Sequence, residues 1–259
     1  MERIASIAVL CLVSMACHRQ SVPVLAGDKG HPAIAAAIEH PARPDADREQ
    51  DKNRKPEAML SFMNVKPGLA IFEIEAGGGY MTELFSRAVG SKGSVVMQNP
   101  KEFRNFMGDK IDARLANGRL PNVRASYSYF DALEAGDASK DLVAWVWGPH
   151  ELYCRAECGN APLGDPAKAY SEIFRILKPG APFVVIDHAA ADGSPETTGN
   201  DLHRIDPAIV KRMAKKAGFV LDAEGTFLVN PDDPLTVPVG AASIRGRTSQ
   251  FVLRFIKPA

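Results

Sequence analysis

Ala70-Ile71-Phe72-Glu73-Ile74-Glu75-Ala76-Gly77-Gly78-Gly79-Tyr80 is an apolar run that turns acidic, meets three consecutive glycines and continues into a helix-like stretch, Met81 to Val89. Glycines at a strand-to-helix turn let the backbone come close to a ligand, and the helix that follows offers unpaired N–H groups at its positive end. Glu73, just before the turn, could hold a cationic or hydroxyl-bearing ligand. The run predicts a nucleotide-type site. The alternative is a Gly-rich connection that only permits tight packing.

Strand and helix signals alternate on the C-terminal side of this run. Strands are predicted at Ala70–Glu75, Ser94–Gln98, Val123–Tyr127, Asp141–Trp147, Pro182–Asp187, Val220–Gly225 and Gln250–Ile256, and helices near Met81–Val89, Lys101–Asn117, Pro166–Leu177 and Pro207–Ala217. Strands separated by helices imply right-handed crossovers and a mostly parallel sheet covered on both faces. The last two strands lack an intervening helix signal and should pair antiparallel at one edge. The expected architecture is α/β: a Rossmann-like, doubly wound, mostly parallel seven-stranded sheet with an antiparallel edge strand, over residues 56–259.

The N-terminal side reads differently. His31 to His40 is Ala- and Ile-rich and predicts a short helix, ended by Pro41 and Pro44. Asp45 to Arg54 is highly charged, and its plain reading is a solvated helix face laced with side-chain pairs. Asp47, Arg48, Asp51 and Arg54 could instead fold over the pocket as a clasp. Residues 17–55 are read as a tether and helical extension. Ile4 to Met15 is a short apolar run after Arg3, of the right length for a signal segment and too short to span a bilayer. Ser14-Met15-Ala16 followed by Cys17 resembles a bacterial lipoprotein cleavage and lipidation site, although Ser14 stands where leucine is usual. Residues 1–16 are therefore expected to direct export to the periplasm, with Cys17 as a candidate anchor to the membrane.

The 259-residue chain carries 31 basic and 31 acidic residues, 46% hydrophobic and 24% charged. That balance gives no electrostatic footprint for nucleic acid and suits a small-molecule partner. Four cysteines are present. Cys11 belongs to the signal segment and Cys17 is the candidate anchor. Cys154 and Cys158 read as a disulfide in an oxidising compartment. His150 beside two thiols is one ligand short of a closed zinc site, so no metal is expected there.

Four features resemble the class I S-adenosylmethionine-dependent methyltransferase fold. Glu73 with Gly77, Gly78, Gly79 and Tyr80 looks like the cofactor loop, and Glu75 stands where the general loop has its first glycine. Asn99 ends the second strand, where the family places a carboxylate on the ribose hydroxyls. Asp141-Leu142-Val143 looks like the fourth strand. Arg175-Ile176-Leu177-Lys178-Pro179-Gly180, leading into Phe183 to Asp187, looks like the helix stop before strand five. A narrower likeness runs through Asp47-Arg48-Glu49-Gln50-Asp51, Tyr129-Phe130-Asp131-Ala132-Leu133, Pro149-His150-Glu151-Leu152, Asp187-His188, Leu202-His203-Arg204-Ile205-Asp206, Asn230-Pro231-Asp232-Asp233 and Gly246-Arg247-Thr248. These recur in a group of exported bacterial proteins classed as predicted methyltransferases. The resemblance implies S-adenosylmethionine as cofactor, held by Glu73, Glu75, the three glycines, Tyr80, Asn99, Phe130 and Asp131.

Methyl transfer from a sulfonium is an in-line displacement, for which a protein supplies alignment, an aromatic wall and sometimes a base. Trp145 and Trp147 share one face of the fourth strand; Trp145 suits the core and Trp147 the wall. His150 and His188, at strand ends, are candidate bases, or else hydrogen-bonded structural residues. His203 and Arg204 precede a helix cap expected at Asp206. Three functions stay open at this point: a small-molecule methyltransferase, an exported noncatalytic binder of an S-adenosyl ligand or nucleoside, and an NAD(P)-dependent oxidoreductase. Thr82 occupies the position where the last would have its third glycine or alanine.

Overall fold

A computed structural model of the chain describes residues 30–154 and 162–259. The signal segment, Cys17, the tether to Asp28 and Cys158 lie outside the described residues.

The chain opens with three helices, α1 (Pro32–Glu39), α2 (Asp45–Arg54) and α3 (Pro56–Phe62), before β1 (Ala70–Ile74). Then follow α4 (Tyr80–Val89), β2 (Ser94–Gln98), α5 (Arg104–Leu115), β3 (Val123–Ser126), β4 (Leu142–Val146), α6 (Pro166–Ile176) and β5 (Pro182–His188). The chain ends with α7 (Thr198–Leu202), α8 (Pro207–Lys216), β6 (Val220–Gly225) and β7 (Gln250–Ile256). The sheet has seven strands in the order β3-β2-β1-β4-β5-β7-β6. β1 to β5 are mutually parallel, and β7 inserts antiparallel between β5 and β6. The expected terminal hairpin therefore forms, with β6 rather than β7 on the outside.

Alternation along the strands divides the core in two. Phe72, Val143, Trp145, Phe183 and Val185 join one apolar cluster with Ile173 of α6 and Ile209 of α8. Ile71, Leu142, Ala144, Val184 and Ile186 join the other, with Ile34 of α1, Met59 and Leu60 of α3, and Leu84 and Phe85 of α4. A period of two aims neighbouring residues at opposite faces, so both sides of the sheet are buried. Because α1 and α3 sit in the second cluster, the N-terminal helices are an integral layer over α4.

Local chemistry sets several boundaries. α6 and α8 each start with proline, and the preceding Asp165 and Asp206 accept hydrogen bonds from Lys168 N and Ala208 N, both at 2.8 Å. These caps satisfy amides that the first turn leaves unpaired. After α6, Gly180 takes φ +78° and donates to Lys257 O at 2.8 Å, turning the chain into β5. α7 is not apparent from the sequence, since Thr198-Gly199-Asn200-Asp201 carries no apolar period.

Candidate functional site

The strand order reverses between β1 and β4: β1 leads outward through β2 to β3, and β4 leads the other way to β5. Parallel α/β sheets bind ligands outside the C-terminal ends of the strands at such a switch point. A cavity of ≈ 1060 Å³ opens there. Its floor is Glu73 and Glu75 from the end of β1, Gly77 and Gly78 from the loop, and Val146 and Trp147 from the end of β4. Tyr80 closes one side, α5 supplies Lys110 and Arg114, and Glu151 and His203 form the far wall.

α2 covers this cavity. Asp47, Gln50 and Arg54 line it, so the plain reading of Asp45–Arg54 as a solvated face is corrected in favour of the clasp. Asp47 is only 6% exposed and takes a two-pronged ion pair from Arg114, at 2.7 and 3.1 Å. Arg114 also donates to Gly78 O at 2.9 Å and Glu83 at 2.8 Å, tying the clasp to the glycine loop and to α4. Asp51 takes a second fork from Arg43, at 2.7 and 2.8 Å, and accepts from the Tyr80 hydroxyl at 2.7 Å. The Arg54 guanidinium lies between two rings, 4.3 Å from the Tyr80 centroid and 4.2 Å from that of Trp147. No carboxylate pairs with Arg54 among the described residues, although Asp47 and Asp51 favour its charge from a distance. Burial pulls its pKa downward.

The glycine loop is fastened from beneath. Gly77 and Gly79 take φ +54° and +82°, where a side chain is strained. A Cβ on Gly79 would lie 2.9 Å from Arg114 Cγ and 3.0 Å from Met97 Cε, so its absence also lets α5 reach Gly78. Asn99, 1% exposed, spends both ends of its amide on Gly77: its Oδ1 accepts from Gly77 N at 2.8 Å and its Nδ2 donates to Gly77 O at 3.2 Å. The structure thus puts Asn99 under the loop, not on the cavity wall where a ribose contact would need it. Gln98 does similar work, accepting from Glu75 N at 2.8 Å.

Three of the eight non-glycine residues with positive φ among the described residues belong to the site. Glu75, Trp147 and His203 all line the cavity and take φ of +55°, +61° and +52°. Non-glycine residues rarely adopt this conformation, and it persists where the surroundings over-determine it. Glu75 is held by a hydrogen bond from Trp145 Nε1 at 3.0 Å, and Trp147 Nε1 donates to Gln250 Oε1 at 2.7 Å. Trp145 itself is fully buried against Phe130, 4.9 Å between centroids.

The remaining sequence candidates separate into two groups. Phe130 is in the core, and Asp131 accepts from Asp165 N at 3.1 Å; neither lines the cavity. His150 is 3% exposed, with Nδ1 2.8 Å from Asp187 Oδ1 and its backbone N 2.9 Å from Asp187 Oδ2. It stands one residue behind the wall, and Glu151 takes its place there, with Oε1 3.4 Å from His150 Nε2 and 3.4 Å from His203 Nδ1. His188 turns aside to Thr248 Oγ1 at 2.7 Å. Cys154 is buried at the end of the 3-10 turn Pro149–Tyr153.

Electrostatics follow from burial and these partners. Burial pushes the Glu73 carboxyl up to about 8 despite the Thr82 hydroxyl and the charge of Arg114. Glu75 goes well up, through burial and then the charge of Glu151. Burial lowers the His188 imidazole to about 4. For His150 burial opposes charge, but Asp187 and Glu151 outweigh it and hold the imidazole well above its usual range. Glu151 is the converse case: burial would raise it, and the two imidazoles bring it down to about 2.

Glu73, Glu75, Gly77, Gly78, Tyr80 and Trp147 are the sequence candidates brought together around the cavity. The sequence reading does not single out Arg114, Lys110 or Glu151. Glu151 carries a legible signal, a carboxylate beside a candidate histidine; Arg114 has none.

A model of the ubiE/COQ5 methyltransferase family matches residues 49–197, from within α2 to the residue before α7, and so across the second half of the clasp, the loop and the 3-10 turn. The chain belongs to the ubiE/COQ5 methyltransferase family. Among curated ubiE/COQ5 relatives, a ubiquinone/menaquinone biosynthesis C-methyltransferase UbiE from Marinomonas sp. is 26% identical over 176 residues, covering 67% of this chain and 64% of that protein. The same enzyme from Hydrogenovibrio crunogenus is 28% identical over 129 residues, 49% of this chain and 45% of that one. The chain therefore spans less than two thirds of the length of these relatives. Solved structures share the fold. A SAM dependent methyltransferase from Aquifex aeolicus superposes with a TM-score of 0.56 at 18% identity, over 83% of this chain and 98% of its own. An arsenic(III) S-adenosylmethionine methyltransferase from Chlamydomonas reinhardtii gives 0.54 at 17%, over 88% and 74%.

Proposed function

We propose that the protein binds S-adenosylmethionine in the cavity at the β1–β4 switch point and directs its methyl group to a small-molecule acceptor. One observation carries the reading: in a ubiE/COQ5 chain, a glycine loop in left-handed conformation and a clasp whose Arg54 has no carboxylate partner among the described residues face each other across one cavity. The residues present fit the amino-acid end of such a ligand. Arg54 offers its guanidinium to a carboxylate, a charge-assisted pair that no described residue makes with it. Glu73, on the cavity floor, becomes the carboxylate partner of an ammonium. The Gly77 and Gly78 backbone can approach closely because neither carries a Cβ.

The cofactor supplies an electrophilic methyl group, and the protein's share is alignment and exclusion of water. α2 excludes water by covering the cavity, and Trp147 flanks the path to the far wall. Glu151 and His203 stand on that wall, where they can position an acceptor. The nicotinamide-dependent alternative has no observation in its favour, given the family.

Calorimetry with S-adenosylhomocysteine, S-adenosylmethionine and NAD tests the reading. Micromolar binding of the S-adenosyl ligands, lost in Arg54→Gln, is expected. Binding of NAD alone would overturn it. Binding of the S-adenosyl ligands without release of labelled methyl to any acceptor would favour the noncatalytic binder.

We further propose export, with removal of residues 1–16, lipidation at Cys17, and pairing of Cys154 with Cys158. The apolar run Ile4 to Met15 and the Ser14-Met15-Ala16-Cys17 sequence support the first two, and an oxidising compartment supports the third. Intact-mass analysis of protein from the membrane and periplasmic fractions, without reductant, reads all three.

A further inference from the structure

We propose that His150, Glu151 and His203 bind a divalent transition-metal ion of the zinc class at the far wall of the cavity. One ligand atom from each residue lies within 4.8 Å of the other two. Glu151 Oε1 is 3.4 Å from His150 Nε2 and 3.4 Å from His203 Nδ1. Those separations are long for N–H···O hydrogen bonds, which cluster near about 2.9–3.0 Å. They match a tetrahedral ion: with bonds of about 2.0–2.1 Å, neighbouring ligand atoms stand about 3.4 Å apart.

The supporting shell is built for the same purpose. Asp187 engages His150 Nδ1 at 2.8 Å, which fixes the ring and directs Nε2 toward Glu151. A carboxylate on the second nitrogen is the usual companion of a metal-bound histidine, because it sets the tautomer and raises ligand basicity. The His150 and His203 rings meet edge to face at 5.4 Å and 82°. His203 reaches this position from a left-handed backbone, φ 52° and ψ 46°, at the end of α7. α7 comes close enough only because residue 199 is glycine; a Cβ there would lie 2.5 Å from the His150 carbonyl oxygen.

Histidine nitrogens with one carboxylate suit zinc, and equally cobalt as a probe, better than calcium or magnesium, which prefer all-oxygen sets. Two of the three ligands, Glu151 and His203, lie on the cavity surface. A fourth position opens toward that cavity, for water or an anionic group of the acceptor, as in sites with three protein ligands. His188, committed to Thr248, stays out of the set. The proposal differs from the Cys154–Cys158–His150 grouping that the sequence discourages, since it uses no thiol.

The full chain, freed of metal by chelation, is titrated with Co²⁺ and then with Zn²⁺ in competition, with no S-adenosyl ligand present. One equivalent of Co²⁺ should give a visible four- or five-coordinate spectrum, displaced by Zn²⁺. Proton spectra of the cobalt form should show shifted resonances from two imidazoles. His203→Ala and Glu151→Gln should each weaken uptake at least tenfold, while His40→Ala, remote beside Arg87, should not. No uptake by the wild-type chain, a cobalt form without shifted imidazole resonances, or uptake unchanged in both ligand variants would overturn the site. Because the titration omits the cofactor, its outcome is independent of the methyl-transfer reading.

Discussion

Asn99 and Gly77 are joined by two hydrogen bonds, the Gly77 amide donating to Asn99 Oδ1 at 2.8 Å and Asn99 Nδ2 donating to the Gly77 carbonyl at 3.2 Å. The residue that the family pattern would make a ribose ligand is here a brace for the loop. An aspartate at 99 would keep the first bond and set a carboxylate against the Gly77 carbonyl in place of the second. Asn99→Asp is therefore expected to lower the free energy of unfolding and to weaken S-adenosylhomocysteine binding, by about 1–2 kcal/mol each. Tighter binding in this variant, measured by calorimetry, would return position 99 to the ribose.

Gly79→Val is expected to destabilise the fold itself. The position has φ +82°, and its Cβ would press on Arg114 and Met97. A cost of about 1–3 kcal/mol follows, together with displacement of Arg114 from Gly78 O. Urea unfolding with an unchanged midpoint would show that the loop is less constrained than its geometry indicates.

Asp47→Ala should release the clasp without unfolding the sheet. The variant leaves Arg114, its side chain 9% exposed, with Glu83 as its one remaining carboxylate partner among the described residues. Hydrogen exchange should quicken across Asp45–Arg54 while β1, β4 and β5 keep their protection. Uniform acceleration would mean that α2 is part of the global folding unit.

Glu73 sets a pH dependence whose sign is fixed. The unfolded chain releases this proton near the ordinary 4.5, and the folded protein holds it to about 8. Between those values the unfolded state binds fewer protons, so this residue makes stability fall as pH rises, with no contribution to the slope outside the window. Glu73→Gln should remove that fall, so the variant gains on the wild type between pH 5 and about pH 8. Parallel stability curves would place the Glu73 carboxylate in a more polar setting.

Much of the fold is legible because its signals are local. β2, β6 and β7 begin and end where alternation and turn residues say they should, and Asp206 caps α8 as its position before proline predicts. The glycine run marks the floor of the cavity. What hides is the far side of each pairing. Asp45–Arg54 has the same composition whether it faces water or covers a ligand, and the Asp47–Arg114 pair joins residues 67 apart. Trp145 and Trp147 share a face by alternation, yet the left-handed turn at Trp147 takes its ring to Arg54 while Trp145 stays in the core. His203 meets Glu151 through Gly199, and no period in the sequence announces that approach. Arg204 and Asp233 are of the same kind, a buried fork at 2.9 and 3.0 Å that holds the segment before β7 against α7.

Hydrogen exchange with and without S-adenosylhomocysteine tests the central claim most directly, because it reports where the ligand sits. The cavity between loop and clasp predicts slower exchange at two separate segments together, Glu75 to Met81 and Asp45 to Arg54, with the outer strands β3 and β6 unchanged. No protection at saturating ligand, or protection confined to segments outside the cavity, would contradict it.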